Sequence, residues 1–375
     1  MSQAEAIGAV PQAVDEVGAA RWGWAAASLV LLLALGGLVR FLEANVPVWL
    51  AEVNWIKSVE FPIYAIAVGL VAGAVLGALG LRERLGVAFR TEFLIKTGLV
   101  LLGASINLAI IARAAGPAIV QSIILITTVF LVAWWVGGRL GLNPKLRALL
   151  AAAVSICGVS AAIAAAGAVS ASKEQLAYVA SLVIIFALPS IFIVPWLATT
   201  LGLDTVVAGA WIGGNIDTTA AVTAAGSIIG DEALQIAAIV KQTQNAMMGV
   251  VAVLLTAYFV LRVERVPGAS VGLGAIWERF PKFVLGFIAA SAIATIYINS
   301  AVDPKTAGDI VAVAGNSLRT WFFILAFVCI GLEFRPAALR EAGTRPVAVF
   351  AVATAVNLVL AFALATLLFS GFELA

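Results

Sequence analysis

The sequence has 375 residues, of which 63% are hydrophobic and 11% charged, with a formal net charge of +2 and no histidine. A soluble domain carries roughly a quarter charged residues, so this composition, at a mean hydropathy of +1.11, excludes a soluble enzyme and points to an integral membrane protein. Near-balanced charge implies no nucleic-acid partner, and the missing histidine removes the commonest metal ligand and the usual proton shuttle near pH 7.

In chain order, residues 1–21 form a polar tail, too long and too acidic for the basic start of a cleaved signal peptide, and read as a cytoplasmic extension. Apolar runs near the roughly 20 residues that cross a bilayer follow at about 22–41, 61–80, 93–112, 117–138, 174–200, 235–261, 283–299, 319–334 and 346–369. None alternates as a barrel strand does, so the expected fold is an all-α polytopic membrane protein with about 9–11 transmembrane helices. Residues 22–45 read as an extra N-terminal helix preceding a main domain at 60–375, with halves at about 60–200 and 205–370. Two further Gly/Ala-rich segments, about 146–169 and 205–228, are apolar but polar at their middles. Cys157 and Cys329 lie inside apolar runs, so no disulfide framework is expected.

Basic residues orient the set. Arg82, Arg84, Arg90 and Lys96, then Arg139, Lys145 and Arg147, then Arg262, Arg265, Arg279 and Lys282, then Arg335, Arg340 and Arg345 crowd alternate connections. The intervening connections carry few: Arg40, Lys57, Arg113, Lys305 and Arg319. The positive-inside rule then puts the N-terminus in the cytoplasm.

Internal repeats follow. Phe61-Pro62 echoes Phe280-Pro281, and residues 101–116 resemble residues 329–343. Under that orientation each pair runs in opposite directions, which is an inverted-topology repeat. Residues 155–162 also align with 214–221. Two re-entrant hairpins, one from each face, preserve the inversion, and a pair of broken membrane-crossing helices is the alternative. Either way, irregular backbone at bilayer depth requires a protein-lined cavity.

Asp217 stands in GAWIGGNIDTTAAVTAAG, residues 209–226. A carboxylate at bilayer depth costs roughly 2.5–3.5 kcal/mol on insertion scales, so it needs a partner or a wet cavity. Asn215, Thr218 and Thr219 add polar groups beside it, and Gly214 lets backbone approach a ligand. Lys241 lies ten residues beyond Asp231, about 15 Å along a helix and too deep to snorkel easily. Gln244 and Asn245 share its face. It reads either as a charge for an anionic substrate or as an ion-pair partner of Asp217. Ser155, Gly158 and Ser160 hold the equivalent place in the first segment, where helix N-termini at a break form a ready anion site. Asn107, also intramembrane, joins Asp217 as a candidate for a coupling Na⁺ or proton. No metal site or other cofactor is expected.

Ser-Ile-Cys-Gly-Val-Ser-Ala at 155–161, Gly-Ala-Trp-Ile-Gly at 209–213 followed by Asp217-Thr218, Ile239-Val240-Lys241, and Phe280-Pro281 with Gly286-Phe287 resemble the YeiH-type sulfate exporter family of bacterial membrane transporters. The resemblance spans roughly 60–370. It implies a multi-pass inner-membrane secondary transporter, by fold analogy of the elevator type and homodimeric. The substrate would be a small anion such as sulfate, sulfite or a sulfonate. Two positions depart from the family pattern: Ile216 stands where a histidine is usual, and Gln244 where a basic residue is usual. Cation/proton antiport through Asp217 is the competing function. With no histidine, no Gly-x-Gly-Asp pair and no Ser–Lys dyad, an intramembrane enzyme is not expected.

Overall fold

The computed structural model describes residues 10–49, 61–86, 89–259, 263, 277, 280–334 and 343–372, with side chains apart from those at 10–22, 173 and 312. Lys57, Arg262, Arg265, Arg279, Arg335 and Arg340, which carry much of the charge asymmetry, lie outside these residues, as do residues 1–9 of the tail. Among the described residues there are helices and no strand. Eight helical stretches among the described residues are long and apolar enough to cross a membrane, Asp231–Tyr258 counted as one.

The chain divides into two compact units, residues 1–95 with 321–334 and residues 96–320 with 335–375. The first contains α1 (Val10–Trp49), α2 (Phe61–Ala78), α3 (Arg82–Leu85), the start of α4 (Thr91–Ala104) and the end of α14 (Pro304–Glu333). Helix α1 begins twelve residues before the expected start at 22, inside the polar tail. Gly69 of α2 lies against the backbone of Val328 and Gly331, so these helices touch without intervening side chains. Arg82 closes the C-terminal end of α14, donating from Nε to Leu332 O at 2.9 Å and from Nη2 to Phe334 O at 2.6 Å. A cation at a helix C-terminus satisfies carbonyls that have no partner within the helix.

The second unit begins within α4 and holds α5 (Leu108–Arg139), α6 (Pro144–Ser155), α7 (Val159–Val169), α8 (Lys173–Thr200), α9 (Thr205–Asn215), α10 (Thr219–Ile229), α11 (Asp231–Ala246), α12 (Met248–Tyr258), α13 (Phe283–Ser300), the start of α14 and α15 (Thr344–Phe369). The sequence expectation fails at α14, which starts at Pro304, fifteen residues before the expected 319, and takes in Arg319, and again at the start of α5. Spans at 93–112 and 117–138 require a loop near Arg113, but the chain breaks at 105–107 and α5 runs unbroken through Arg113 and Pro117. Asn107 decides the start by accepting from Ala109 N at 2.9 Å as N-cap. Alanine and arginine then favour continuation. What remains of the earlier span is the 14-residue α4, about 21 Å long and short of the roughly 30 Å hydrocarbon core. Among the described residues, eight long apolar stretches therefore stand where 9–11 transmembrane helices were expected.

Sequence signals place the remaining starts. Asn143 caps α6 with Pro144 at its first position, Ser172 and Gln175 form a capping box on α8, and Asp204 and Thr218 cap α9 and α10.

The four short helices form two hairpins. Lys145 Nζ, at the start of α6, donates to Ser170 O, at the end of α7, at 3.1 Å. The outer ends of the pair are therefore together. Thr205 Oγ1, at the start of α9, donates to Glu232 Oε2 at 2.7 Å, just beyond the end of α10. A Cβ on Gly209 would lie 2.5 Å from Ala233 O, and one on Gly213 would lie 2.6 Å from Ala237 O. Helices α9 and α11 thus run parallel in near backbone contact, and α10 folds back between their ends, with Gly226 against Leu234. All eight residues from 148 to 155 and all ten from 206 to 215 are buried. That is the behaviour expected of helices apolar on every side.

Candidate functional site

Each hairpin tip is a three-residue break, at 156–158 and at 216–218. Ile156 and Ile216 hold the same position, each the C-cap of its first half-helix. The structural equivalence is therefore offset by 60 residues, one more than the sequence alignment, and pairs Cys157 with Asp217. The tips meet. A Cβ on Gly158 would come within 2.8 Å of Thr218 Cγ2, and Asp217 O is 3.7 Å away.

Lys241 joins them from α11. It is 1% exposed, and its ammonium donates to Ile156 O at 2.5 Å, to Ile216 O at 2.8 Å and to Gln244 Oε1 at 2.8 Å. An ammonium has three N–H groups, so all are committed. Charge-assisted hydrogen bonds contribute about 1.5–3 kcal/mol each, enough to offset a desolvation penalty of several kcal/mol for a buried ion. The acceptors cap two helix C-termini, each carrying about −0.5 of an elementary charge. One lysine balances both.

The other two half-helices present their N-termini at the same place. Gly158 and Thr218 are the N-caps of α7 and α10, and no side chain caps α7. Thr218 Oγ1 accepts from Ala221 N at 3.1 Å. Asp217, 7% exposed, sits at the start of α10 with Oδ2 lacking a hydrogen-bond partner among the described residues. The Lys241 ammonium's hydrogen bonds all go elsewhere. The direct ion pair that the sequence allowed is not formed.

The polar neighbours interlock. Gln244 Nε2 donates to Gly214 O at 3.2 Å, and Asn245 Nδ2 to Thr219 Oγ1 at 3.1 Å. Asn215 O accepts from Asn357 Nδ2 at 2.8 Å. Lys241, Gly214, Asn215, Asp217, Thr218, Thr219, Gln244, Asn245 and Gly158 are thereby gathered at one place. Ser155 is adjacent and buried, but its hydroxyl donates back to Ala151 O at 2.7 Å. Ser160 lies half-buried in the first turn of α7. Asn107 is not gathered there: its side chain is exposed and caps α5.

Both departures from the family pattern acquire a physical reading. Ile216 serves through its carbonyl, which any residue supplies. Gln244 accepts from Lys241 and donates to Gly214, and a basic side chain cannot accept.

Sequence reasoning missed Ile156 and Ile216, whose contribution is backbone, and also Gln121, Gln242 and Asn357. Gln121 is buried and donates to Ala210 O at 3.0 Å. The available signal for it and Asn357 was a polar residue mid-span in an apolar run.

A family profile described as conserved hypothetical protein 698 matches residues 29–350. The chain belongs to this family. It is 38% identical over 339 residues to a UPF0324 membrane protein of Rhodopirellula baltica, covering 88% of this chain and 62% of that one. It is 32% identical over 301 residues to a UPF0324 membrane protein of Pseudomonas putida, covering 77% and 81%. A UPF0324 membrane protein of Nitratidesulfovibrio vulgaris is 36% identical over 314 residues, covering 82% and 54%. The chain thus spans about three fifths and about half of the length of the first and last of these relatives. No solved structure matches. Family membership and the eight long apolar stretches make this conserved hypothetical protein 698 member a multi-pass bacterial membrane protein.

Proposed function

We propose that this protein is a secondary transporter of a small anion, of the class of sulfate, sulfite or a sulfonate, and that the anion binds where the two hairpin tips meet. The observation that carries the reading is the tip geometry: two helix N-termini converge beside a fully buried lysine. Aligned N–H groups and the N-terminal dipole favour an anion without any dedicated side chain. Ser160, Thr218 and Thr219 would supply the remaining donors, and Lys241 would hold the tips in register while adding its charge.

On this reading the hairpins are re-entrant, one from each face, within two inverted halves, and the pair moves as the carrier of an elevator-type transporter. The N-terminus is cytoplasmic and the direction is export, in keeping with the resemblance to the sulfate exporters. Binding at mid-depth between broken helices is the usual arrangement of carriers built on inverted repeats.

The test is anion counterflow in proteoliposomes. Lys241→Ala is expected to abolish sulfate or sulfite counterflow while the purified protein remains monodisperse, because the tips lose their shared donor. Undiminished flux in that variant sinks the proposal.

One observation favours the second reading, cation/proton antiport. The Oδ2 of Asp217 is an acceptor with no donor among the described residues. Transport driven by a pH gradient with no anion requirement, lost in Asp217→Asn, would select it.

A further inference from the structure

A second polar group lies along the second half of α9, beyond the hairpin tips. Gln121 and Ser122 of α5 are 0% exposed, Asn357 of α15 is 2% and Asn215 is 5%. Gln121 and Asn357 use their amide nitrogens on α9 carbonyls, Ala210 O and Asn215 O. Because a carbonyl only accepts, both amide orientations are fixed: nitrogen toward α9, oxygen away from it. Among the described residues, the oxygens left over, Gln121 Oε1 and Asn357 Oδ1, have no partner, and neither do Asn215 Oδ1, Ser122 Oγ and Thr354 Oγ1. Thr354 lies three residues before Asn357, on the same face of α15.

Five buried oxygens without a partner among the described residues lie on three helices that pack together, where buried polar groups are normally paired. Three of them are amide oxygens, which only accept, so the missing partner there is electron-poor. It sits at the C-terminal end of α9, where the helix dipole is negative. Oxygen-only ligands with no carboxylate among them suit a singly charged hard cation. A divalent ion would demand formal negative charge.

We propose that Gln121, Ser122, Asn215, Thr354 and Asn357 form a Na⁺ site at the junction of α5, α9 and α15. Asn215 belongs to the same turn as the second tip, so the cation stiffens the end of α9 whose carbonyls face Lys241 and Gln244. Binding itself stands on these residues alone; only its use as a coupling ion rests on the transporter reading above.

The test is thermal unfolding of the full-length protein in detergent, titrating NaCl against choline chloride at constant ionic strength. A ligand of the folded state raises the melting temperature with occupancy, so a saturable rise with Na⁺ and little response to K⁺ is expected. Gln121→Leu and Asn357→Leu should abolish the Na⁺ response. The near-isosteric Thr354→Val and Ser122→Ala, which keep the fold where the larger changes disturb it, should raise the half-saturating Na⁺ concentration at least tenfold. Lys241→Gln should leave the response intact, which separates this site from the anion site. A wild-type melting temperature indifferent to Na⁺ overturns the proposal and leaves ordered water as the partner of these oxygens. A Na⁺ response undiminished in Thr354→Val and Ser122→Ala overturns this assignment of the ligands. Failure of anion counterflow with the Na⁺ response intact would remove the transport reading and leave the site standing.

Discussion

Lys241 owes its burial to acceptors that no side-chain inventory reveals. Two of its three partners are backbone carbonyls at helix C-caps, present at every residue and exposed only because both half-helices stop there. Gly158 is the other residue on which the contact turns. Its φ of +64° is a conformation that side-chain-bearing residues rarely adopt, and a Cβ would sit 2.8 Å from both Thr218 Cγ2 and Val183 Cγ1. Gly158→Ala should therefore destabilise the protein by about 1–3 kcal/mol through backbone strain and overpacking, read as a lowered melting temperature. Gly167, with nothing within 4 Å, provides the control: alanine there should not lower it. Equal melting temperatures for the two variants would contradict the close tip contact.

At the scale of elements, the second hairpin is held by the fit of α9 on α11 rather than by its own length. An isolated helix of 11 residues is marginal in water, and α9 has that length. It persists because it is buried on all sides and because Gly209 and Gly213 let its backbone lie directly on α11. The contact partner at Gly213 is a carbonyl oxygen and the Cβ of Val240, neither of which can swing aside. Gly213→Ala should push α9 off α11, lengthen the bonds from Lys241 and Gln244 to the second tip, and cost about 1–3 kcal/mol of stability. Because the displaced carbonyls belong to the site, its anion counterflow should fall further than stability alone explains. Normal counterflow in a destabilised Gly213→Ala protein would mean that the α9 end is not part of the site.

For the whole molecule, the decisive question is whether the hairpins open to opposite sides of the membrane. Ser170 at the mouth of the first and Leu201 just before the second are exposed, and the native thiols Cys157 and Cys329 are buried. Ser170→Cys and Leu201→Cys, placed singly, should therefore react over a low background. Inverted halves with a cytoplasmic N-terminus predict that the cysteine at 170 is labelled by a membrane-impermeant maleimide only in inside-out vesicles, and the one at 201 only in right-side-out cells. Labelling of both from one side would refute the inversion. The shared membrane architecture of the family does not depend on this outcome, because it follows from the long apolar helices themselves.

Much was legible before any coordinates. Apolar run lengths marked where most long helices lie, and the polar interruptions near 155–160 and 214–219 marked both tips. These are local properties: hydrophobicity over one run and its interruption. The break at Asn107 was misplaced because an Asn-capped start competes with a Gly-Pro pair, and sequence does not weigh one against the other. Only the tertiary structure decided that the short helices fold back as hairpins, since a hairpin and a broken span share the same local propensities and differ in what the outer ends touch. It alone placed Lys241 on Ile156 and Ile216 instead of on Asp217, and brought Gln121 and Asn357 to α9, at Ala210 and Asn215, from positions far apart in the chain. Backbone acceptors carry no residue identity, and contacts across such sequence distances are set by packing.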